Sequence, residues 1–142
     1  MFVKLLNKLN QRYAHVSIDV ILNSLGNKIY AIMHFLTFGR LYRSIEVSVF
    51  ISPRSSVMDR SKVSLGANCH VRAFVSIWAD LRAGSNVHFN PGSRLYGKIQ
   101  IGSNTMIGPN VSIMGGNHSF ETRSIPMYFQ PDTSTGILIG ED

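Results

Sequence analysis

The sequence predicts an all-β parallel solenoid preceded by a short helical segment. Three observations carry this: a six-residue period from residue 53 to 118, two apolar positions within each six, and Gly or Asn between the apolar pairs. With 142 residues, 44% of them hydrophobic and 15% charged, the chain has the composition of one folded unit rather than of a disordered one.

Cut into sixes, residues 53 to 118 read PRSSVM, DRSKVS, LGANCH, VRAFVS, IWADLR, AGSNVH, FNPGSR, LYGKIQ, IGSNTM, IGPNVS and IMGGNH. Position one is apolar in nine of eleven blocks, with Pro53 and Asp59 the exceptions, and position five is apolar in eight. Neither a helical stripe nor a continuous strand alternation fits such spacing. A chain that extends briefly and then turns does, because residues two apart on an extended segment share a face. Val87 and Phe89, Ile99 and Ile101, and Val111 and Ile113 are thereby expected to point inward. Gly66, Gly84, Gly102, Gly108, Asn68, Asn86, Asn104 and Asn110 fall between the pairs, where a turn favours residues that tolerate positive φ.

Ile101-Gly-Ser-Asn-Thr-Met, Ile107-Gly-Pro-Asn-Val-Ser and Ile139-Gly-Glu-Asp resemble the hexapeptide repeat of the left-handed β-helix acyltransferases. The resemblance covers residues 53 to 142. It implies three hexads per coil, a left-handed parallel β-helix, and a homotrimer with coils side by side. Residues 18 apart then stack, placing Arg60, Trp78, Tyr96 and Met114 in one outward column and His70, His88 and Met106 in another. An exposed aromatic column is expected to meet a neighbouring subunit or a substrate.

The N-terminal helical segment spans residues 1–50, and the β-helix 51–142. Phe2, Leu5, Leu6, Leu9 and Tyr13 share one helical face, with Lys4, Lys8 and Arg12 on another. Two further helices are expected over Val16 to Leu25 and Lys28 to Phe38, separated by Gly26-Asn27 and covering the end of the solenoid, where strand edges would otherwise be unpaired. The first helix is expected to pack on the domain's own core, with peripheral membrane contact the alternative. The longest apolar stretch, Ile29 to Phe38, is far short of the roughly 20 residues of a membrane span. With no apolar leader at the N-terminus, the expected location is cytoplasmic.

The formal charge is +6, spread as +4 over residues 1–52, +5 over 53–116 and −3 over 117–142. Because the basic residues arrive singly, nucleic-acid binding is not expected. Cys69 is the single cysteine, which excludes an internal disulfide.

The last intact hexad ends at His118 and the period resumes out of phase at Ile139, leaving a 20-residue loop over 119–138. Loops of that length in a compact repeat usually serve function. Gly115-Gly-Asn-His-Ser-Phe, Ile125-Pro-Met and Gly136-Ile-Leu-Ile-Gly-Glu-Asp resemble the active-site segment of xenobiotic and sugar O-acetyltransferases. The resemblance implies His118 as general base, acetyl-CoA as acyl donor, and a hydroxyl of a sugar or polysaccharide precursor as acceptor. Asn117, Trp78 and Tyr96 are the expected substrate contacts. A histidine suits the task, since a hydroxyl becomes a competent nucleophile only as a base with pKa near 7 takes its proton. Backbone N–H groups near Gly115 and Gly116 are candidates for stabilising the oxyanion.

No residue is assigned to the coenzyme, whose groove is expected largely beyond Asp142 in a longer enzyme, so that the 142-residue chain alone is expected to have little activity. No metal is expected. A zinc enzyme of the gamma-class carbonic anhydrase kind would need three histidines, and His70, His88 and His118 contain no close pair. A non-catalytic solenoid scaffold is the remaining alternative. His15 and His34 are expected to lie in the helical region without a chemical role.

Overall fold

The computed structural model describes residues 18–142. One 21-residue helix, α1 (Ile18–Phe38), leads through a 3-10 turn at Gly39–Leu41 into the strands. In chain order these are β1 (Ser44–Ile45), β2 (Phe50–Ile51), β3 (Ser56–Val57), β4 (Val63–Leu65), β5 (His70–Val71), β6 (Ser76–Ala83) and β7 (His88–Phe89). There follow β8 (Arg94–Ile101), β9 (Met106–Ile107), β10 (Ser112–Gly115), β11 (Asn117–His118), β12 (Asp132–Thr133) and β13 (Ile137–Ile139).

Parallel pairing sorts the strands into three faces. Strands β2, β5, β7 and β9 form the first. The second holds β3, the first halves of β6 and β8, and β10. The third holds β1, β4, the second halves of β6 and β8, and β13. The parallel solenoid expected from the sequence is therefore present.

The expected phase is kept from Val63 onward, where partners lie 18 residues apart, as in His70 with His88 and Val63 with Leu81. Earlier it slips. Phe50 pairs with His70 and Val57 with Ile77, 20 residues on. Two extra residues are absorbed by a 3-10 turn, Arg60–Lys62, whose start is capped by Asp59 accepting from the Ser61 N–H at 3.1 Å. The inward residues of this first coil are consequently Ile45, Ile51 and Val57, aligned with Leu65, Val71 and Ile77. Pro53 and Asp59, the two breaks in the apolar column, mark the slip. The outward column beside Trp78 is extended by Met58, whose N–H bonds Ile77 O, and not by Arg60. Arg60 instead lies over the rings of Phe38 and Tyr42, at 5.4 and 5.8 Å.

Both apolar columns line a continuous core in which Phe89, Leu95, Ile99, Ile101 and Ile107 are buried. Polar members of the columns are satisfied locally: Ser93 Oγ donates to Asn90 O at 2.8 Å and Thr105 Oγ1 to Gly102 O at 3.1 Å. Val111 is the departure, 38% exposed, because the residue 18 positions on belongs to the excursion after His118 rather than to another coil.

Asn68, Asn86 and Asn104 take φ near +60° at successive corners, as expected, and their side chains form a ladder, Asn68 Nδ2 to Asn86 Oδ1 at 3.3 Å and Asn86 Nδ2 to Asn104 Oδ1 at 2.9 Å. The neighbouring glycines serve a different purpose. At Gly66 a Cβ would come within 2.7 Å of the Gly84 backbone in the next coil, so close coil approach, not positive φ, excludes a side chain there.

A single helix replaces the two expected. Gly26 lies in open space, and its cost of about 1 kcal/mol relative to Ala is too small to break a helix anchored by packing. Ala31 and His34 are buried, the Tyr30 ring sits 5.7 Å from Phe50, and His34 Nε2 lies 3.3 Å from the Tyr42 hydroxyl. These contacts set α1 on β2, the first strand of its face. The basic amphipathic helix expected near Phe2 to Tyr13, and His15, lie outside the described residues. His70 and His88 stack outside the first face with ring centroids 4.7 Å apart.

Candidate active site

Two interruptions of the 18-residue coil fall on the same edge of the solenoid, the corner between its second and third faces. One is the 3-10 turn at Arg60–Lys62. The other is the excursion between β10 and β13, after which Ile139 rejoins the third face beside Ile101. Between them the corner is tight: Ala79 runs directly into Asp80, and Gly97 into Lys98. Gly97 turns with φ +85°, and a Cβ there would lie 2.6 Å from the Gly115 carbonyl carbon. The projecting inserts and the flat corner leave a cleft of about 440 Å³, lined among others by Met58, Lys62, Trp78, Tyr96, Lys98 and Asp132.

The excursion is held by its own bonds. Strands β11 and β12 pair antiparallel, Asn117 with Thr133 and His118 with Asp132. Gln130 is buried and donates from Nε2 to Thr122 O and Ile125 O, both at 2.8 Å, while Ser134 Oγ donates to Gly115 O at 2.6 Å. This stem presents His118 and Asp132 side by side.

His118 Nδ1 lies 2.6 Å from Asp132 Oδ1. The other carboxylate oxygen, Oδ2, accepts from the Tyr96 hydroxyl at 3.4 Å. Tyr96 itself packs on bare backbone, since a Cβ at Gly116 would stand 3.2 Å from its Cε1. A chain of three polar side chains thus runs from the aromatic floor of the cleft through Asp132, which lines it, to the imidazole of His118, which does not. Such a carboxylate fixes the ring orientation and keeps the proton on Nδ1, leaving Nε2 as the basic nitrogen.

Trp78 and Tyr96 pair across adjacent coils and both line the cleft, Trp78 being 55% exposed. Asn117, expected to contact substrate, does not line the cleft; its carbonyl accepts from Thr133 Oγ1 at 3.2 Å within the stem. The cleft carboxylates are partnered. Asp80 holds Arg43 at 2.7 Å, and this bond draws its carboxyl below the usual range. Asp59 is drawn down likewise by Ser61 and by Lys62, whose Nζ is 3.2 Å away. Lys98 has no carboxylate within ion-pair distance among the described residues.

Asp132 and Met58 are cleft residues that the sequence does not single out. Nothing in Gln130-Pro-Asp-Thr distinguishes a residue 14 positions from His118, and only the antiparallel register brings the two together. Met58 was hidden by the slip in phase. His70 and His88 lie on the first face, away from His118, and among the described residues no three His, Cys, Asp or Glu side chains converge as metal ligands.

No protein-family model and no curated protein matches the chain. Two solved structures are similar in fold. AntD, an N-acyltransferase from Bacillus cereus in complex with dTDP and 3-hydroxybutyryl-CoA, aligns over 75% of this chain with a TM-score of 0.64 and 18% identity. An aspartate-to-alanine mutant of AntD with dTDP and coenzyme A aligns over 75% with a TM-score of 0.61 and 17% identity. What is shared is the fold. This chain spans 61% of the length of each AntD chain.

Proposed function

We propose that the protein is an acyltransferase using an acyl-CoA donor, and that His118 is the general base that activates a hydroxyl of a sugar or polysaccharide precursor. The observation that carries the reading is the 2.6 Å contact between His118 Nδ1 and Asp132 Oδ1 at the edge of an aromatic cleft. In this reading an acceptor sugar stacks on Trp78 and Tyr96, and Nε2 of His118 takes the hydroxyl proton as oxygen attacks the thioester carbonyl. The oxygen–carbonyl bond forms, the carbon–sulfur bond breaks, and the imidazolium returns the proton to the departing thiolate. Asp132 steadies the transient cation on His118. Acetyl as the acyl group follows from the resemblance of the repeat and of Gly115-Gly-Asn-His, as do the left-handed coil and a trimeric assembly.

Transfer to an amine is the second reading, favoured by the N-acyltransferase activity of AntD, the structural neighbour. A thiol-release assay with acetyl-CoA against paired hydroxyl and amino sugars, with the product identified by mass and base lability, separates them. Base-labile ester on a hydroxyl sugar supports the first reading. Amide formed only on amino sugars overturns it in favour of the second.

A further inference from the structure

Five charged side chains line the cleft, Asp59, Lys62, Asp80, Lys98 and Asp132, and four of them are already matched. Asp59 holds Lys62 at 3.2 Å, Asp80 holds Arg43 at 2.7 Å, and Asp132 is shared between His118 and the Tyr96 hydroxyl. Lys98 is the fifth, with no carboxylate within ion-pair distance among the described residues. Its register partner on the preceding coil is Asp80, the natural counter-charge, but Arg43 has taken that carboxylate. Arg82, the next outward residue after Asp80, adds positive charge on the same side. Arg43 chiefly, then Arg82 and Lys98, hold the Asp80 carboxyl below its usual range.

An exposed lysine is ordinarily a solvated charge, and the position of Lys98 sets it apart. Along β8 the outward side chains are Tyr96 and then Lys98, on either side of the corner at Gly97, so the lysine borders the aromatic floor. Its stem is packed: a Cβ at Gly136 would stand 3.7 Å from both Cβ and Cδ of Lys98, so the chain returning to β13 passes beside these methylenes. A sugar ring stacked on Trp78 and Tyr96 directs substituents across the corner, where the unmatched charge is Lys98. A compact ammonium with three N–H donors suits one anionic group, bonded with charge assistance. Such a group can replace water on Lys98 without breaking an ion pair, whereas at Lys62 or Arg43 it would have to displace Asp59 or Asp80.

Resting on the reading of this cleft as the acceptor site, we propose that Lys98 is a specificity-determining residue that selects acceptor sugars bearing a negative group, a phosphate ester or a carboxylate. Trp78 is the single tryptophan of the chain, so a change in its fluorescence reports occupation of the cleft in the full chain without donor or turnover. The probes are glucose and N-acetylglucosamine, their phosphate esters, glucuronic acid, and inorganic phosphate. An anionic sugar is expected to bind about tenfold or more tighter than its neutral parent, with the difference shrinking in high salt. Phosphate esters against the uronic acid tell which anion is preferred. Lys98→Met, which keeps the methylenes beside Gly136, is expected to bring anionic sugars down to the level of neutral ones, and Lys98→Arg to keep most of the preference. If Lys98→Met unfolds, Lys98→Gln serves in its place with the same expectation. Equal binding of neutral and anionic sugars, no response to any sugar, or a preference that survives loss of the ammonium overturns the proposal. So does inorganic phosphate bound as tightly as the sugar phosphates, for then the cleft holds an anion and not an acceptor. Because the readout is binding, normal turnover in His118→Ala would remove the general base and leave this result standing. Equal binding of neutral sugars would remove the selection by charge and leave the acceptor site standing.

Discussion

Asp132 holds the imidazole of His118 by Nδ1 at 2.6 Å, and the two residues meet because a short antiparallel stem places them opposite each other. Both are more than half exposed, so the pair adds little to stability, on the order of 0–1 kcal/mol. Its value lies in orientation. Assayed with the coenzyme groove present, His118→Ala is expected to lower turnover by about 10²- to 10⁴-fold with donor affinity and melting temperature little changed. Asp132→Asn, which keeps the shape and removes the charge, is expected to fall between that variant and the unsubstituted protein. Normal turnover in His118→Ala, checked by thiol release, removes the catalytic assignment. Unfolding of either variant would mean that the pair pins the excursion to the coil instead.

Trp78 and Tyr96 stand side by side on the cleft floor but have different duties. Trp78 offers area alone, so Trp78→Ala is expected to raise the acceptor KM several-fold, with kcat and the donor KM nearly unchanged, as loss of uniform binding requires. Tyr96→Phe keeps the stacking face and deletes the hydroxyl bonded to Asp132. That variant is expected to lower kcat with the acceptor KM maintained. Initial-rate measurements with each substrate varied in turn check both, and identical effects from the two substitutions would deny the division of roles.

The solenoid was legible because its signal is repeated: each coil restates the same inward pairs, so Leu95, Ile101 and Ile107 agree on one phase. The phase of the first coil is not legible, because a single two-residue insertion has no repetition behind it. Gly26-Asn27 carries the local signal of a helix break, which the packing of Tyr30, Ala31 and His34 on the coil overrides. At the site, His118 could be singled out by its place where the period fails. Asp132 could not, because pairing across an irregular loop is fixed by backbone register and buried Gln130, and leaves no period in the sequence.

Corners offer a test of the backbone itself. Asn86 sits at φ +59° with its side chain bonded to both Asn68 and Asn104. Asn86→Ala is expected to cost about 1–2 kcal/mol for the left-handed backbone, plus about 0.5–1.5 kcal/mol for each net hydrogen bond lost. Asn86→Gly should lose only the bonds. Phe74 is the opposite case, an exposed phenylalanine at φ +62°, with Gly92 and Asn110 at the following corners. Phe74→Gly is expected to stabilise the protein by up to about 1 kcal/mol through relief of that backbone, measured by denaturant melts. A loss of stability would show that the ring makes contacts outweighing the strain.

Stability should also fall on mild acidification, through two histidines, His34 on the helix and His70 on the second coil. Burial, aided by Arg60, pushes the His34 pKa below its ordinary 6.5. Burial, then His88 and Arg72, does the same to His70. The unfolded chain takes up these protons near pH 6.5 while the native state resists them, so over the interval below 6.5 the unfolded state binds more protons and stability declines as pH falls. The carboxyls of Asp59 and Asp80, also drawn down, act in a separate window, since their contribution is lost only as pH falls below about 4. Melting temperature is therefore expected to drop between pH 7.5 and 5.5, above the window of Asp59 and Asp80. His34→Phe with His70→Phe, which continue the aromatic packing of Tyr30, Phe50 and Tyr42, should flatten that drop even if the plateau value shifts. An unchanged slope in the double variant would place the acid sensitivity elsewhere.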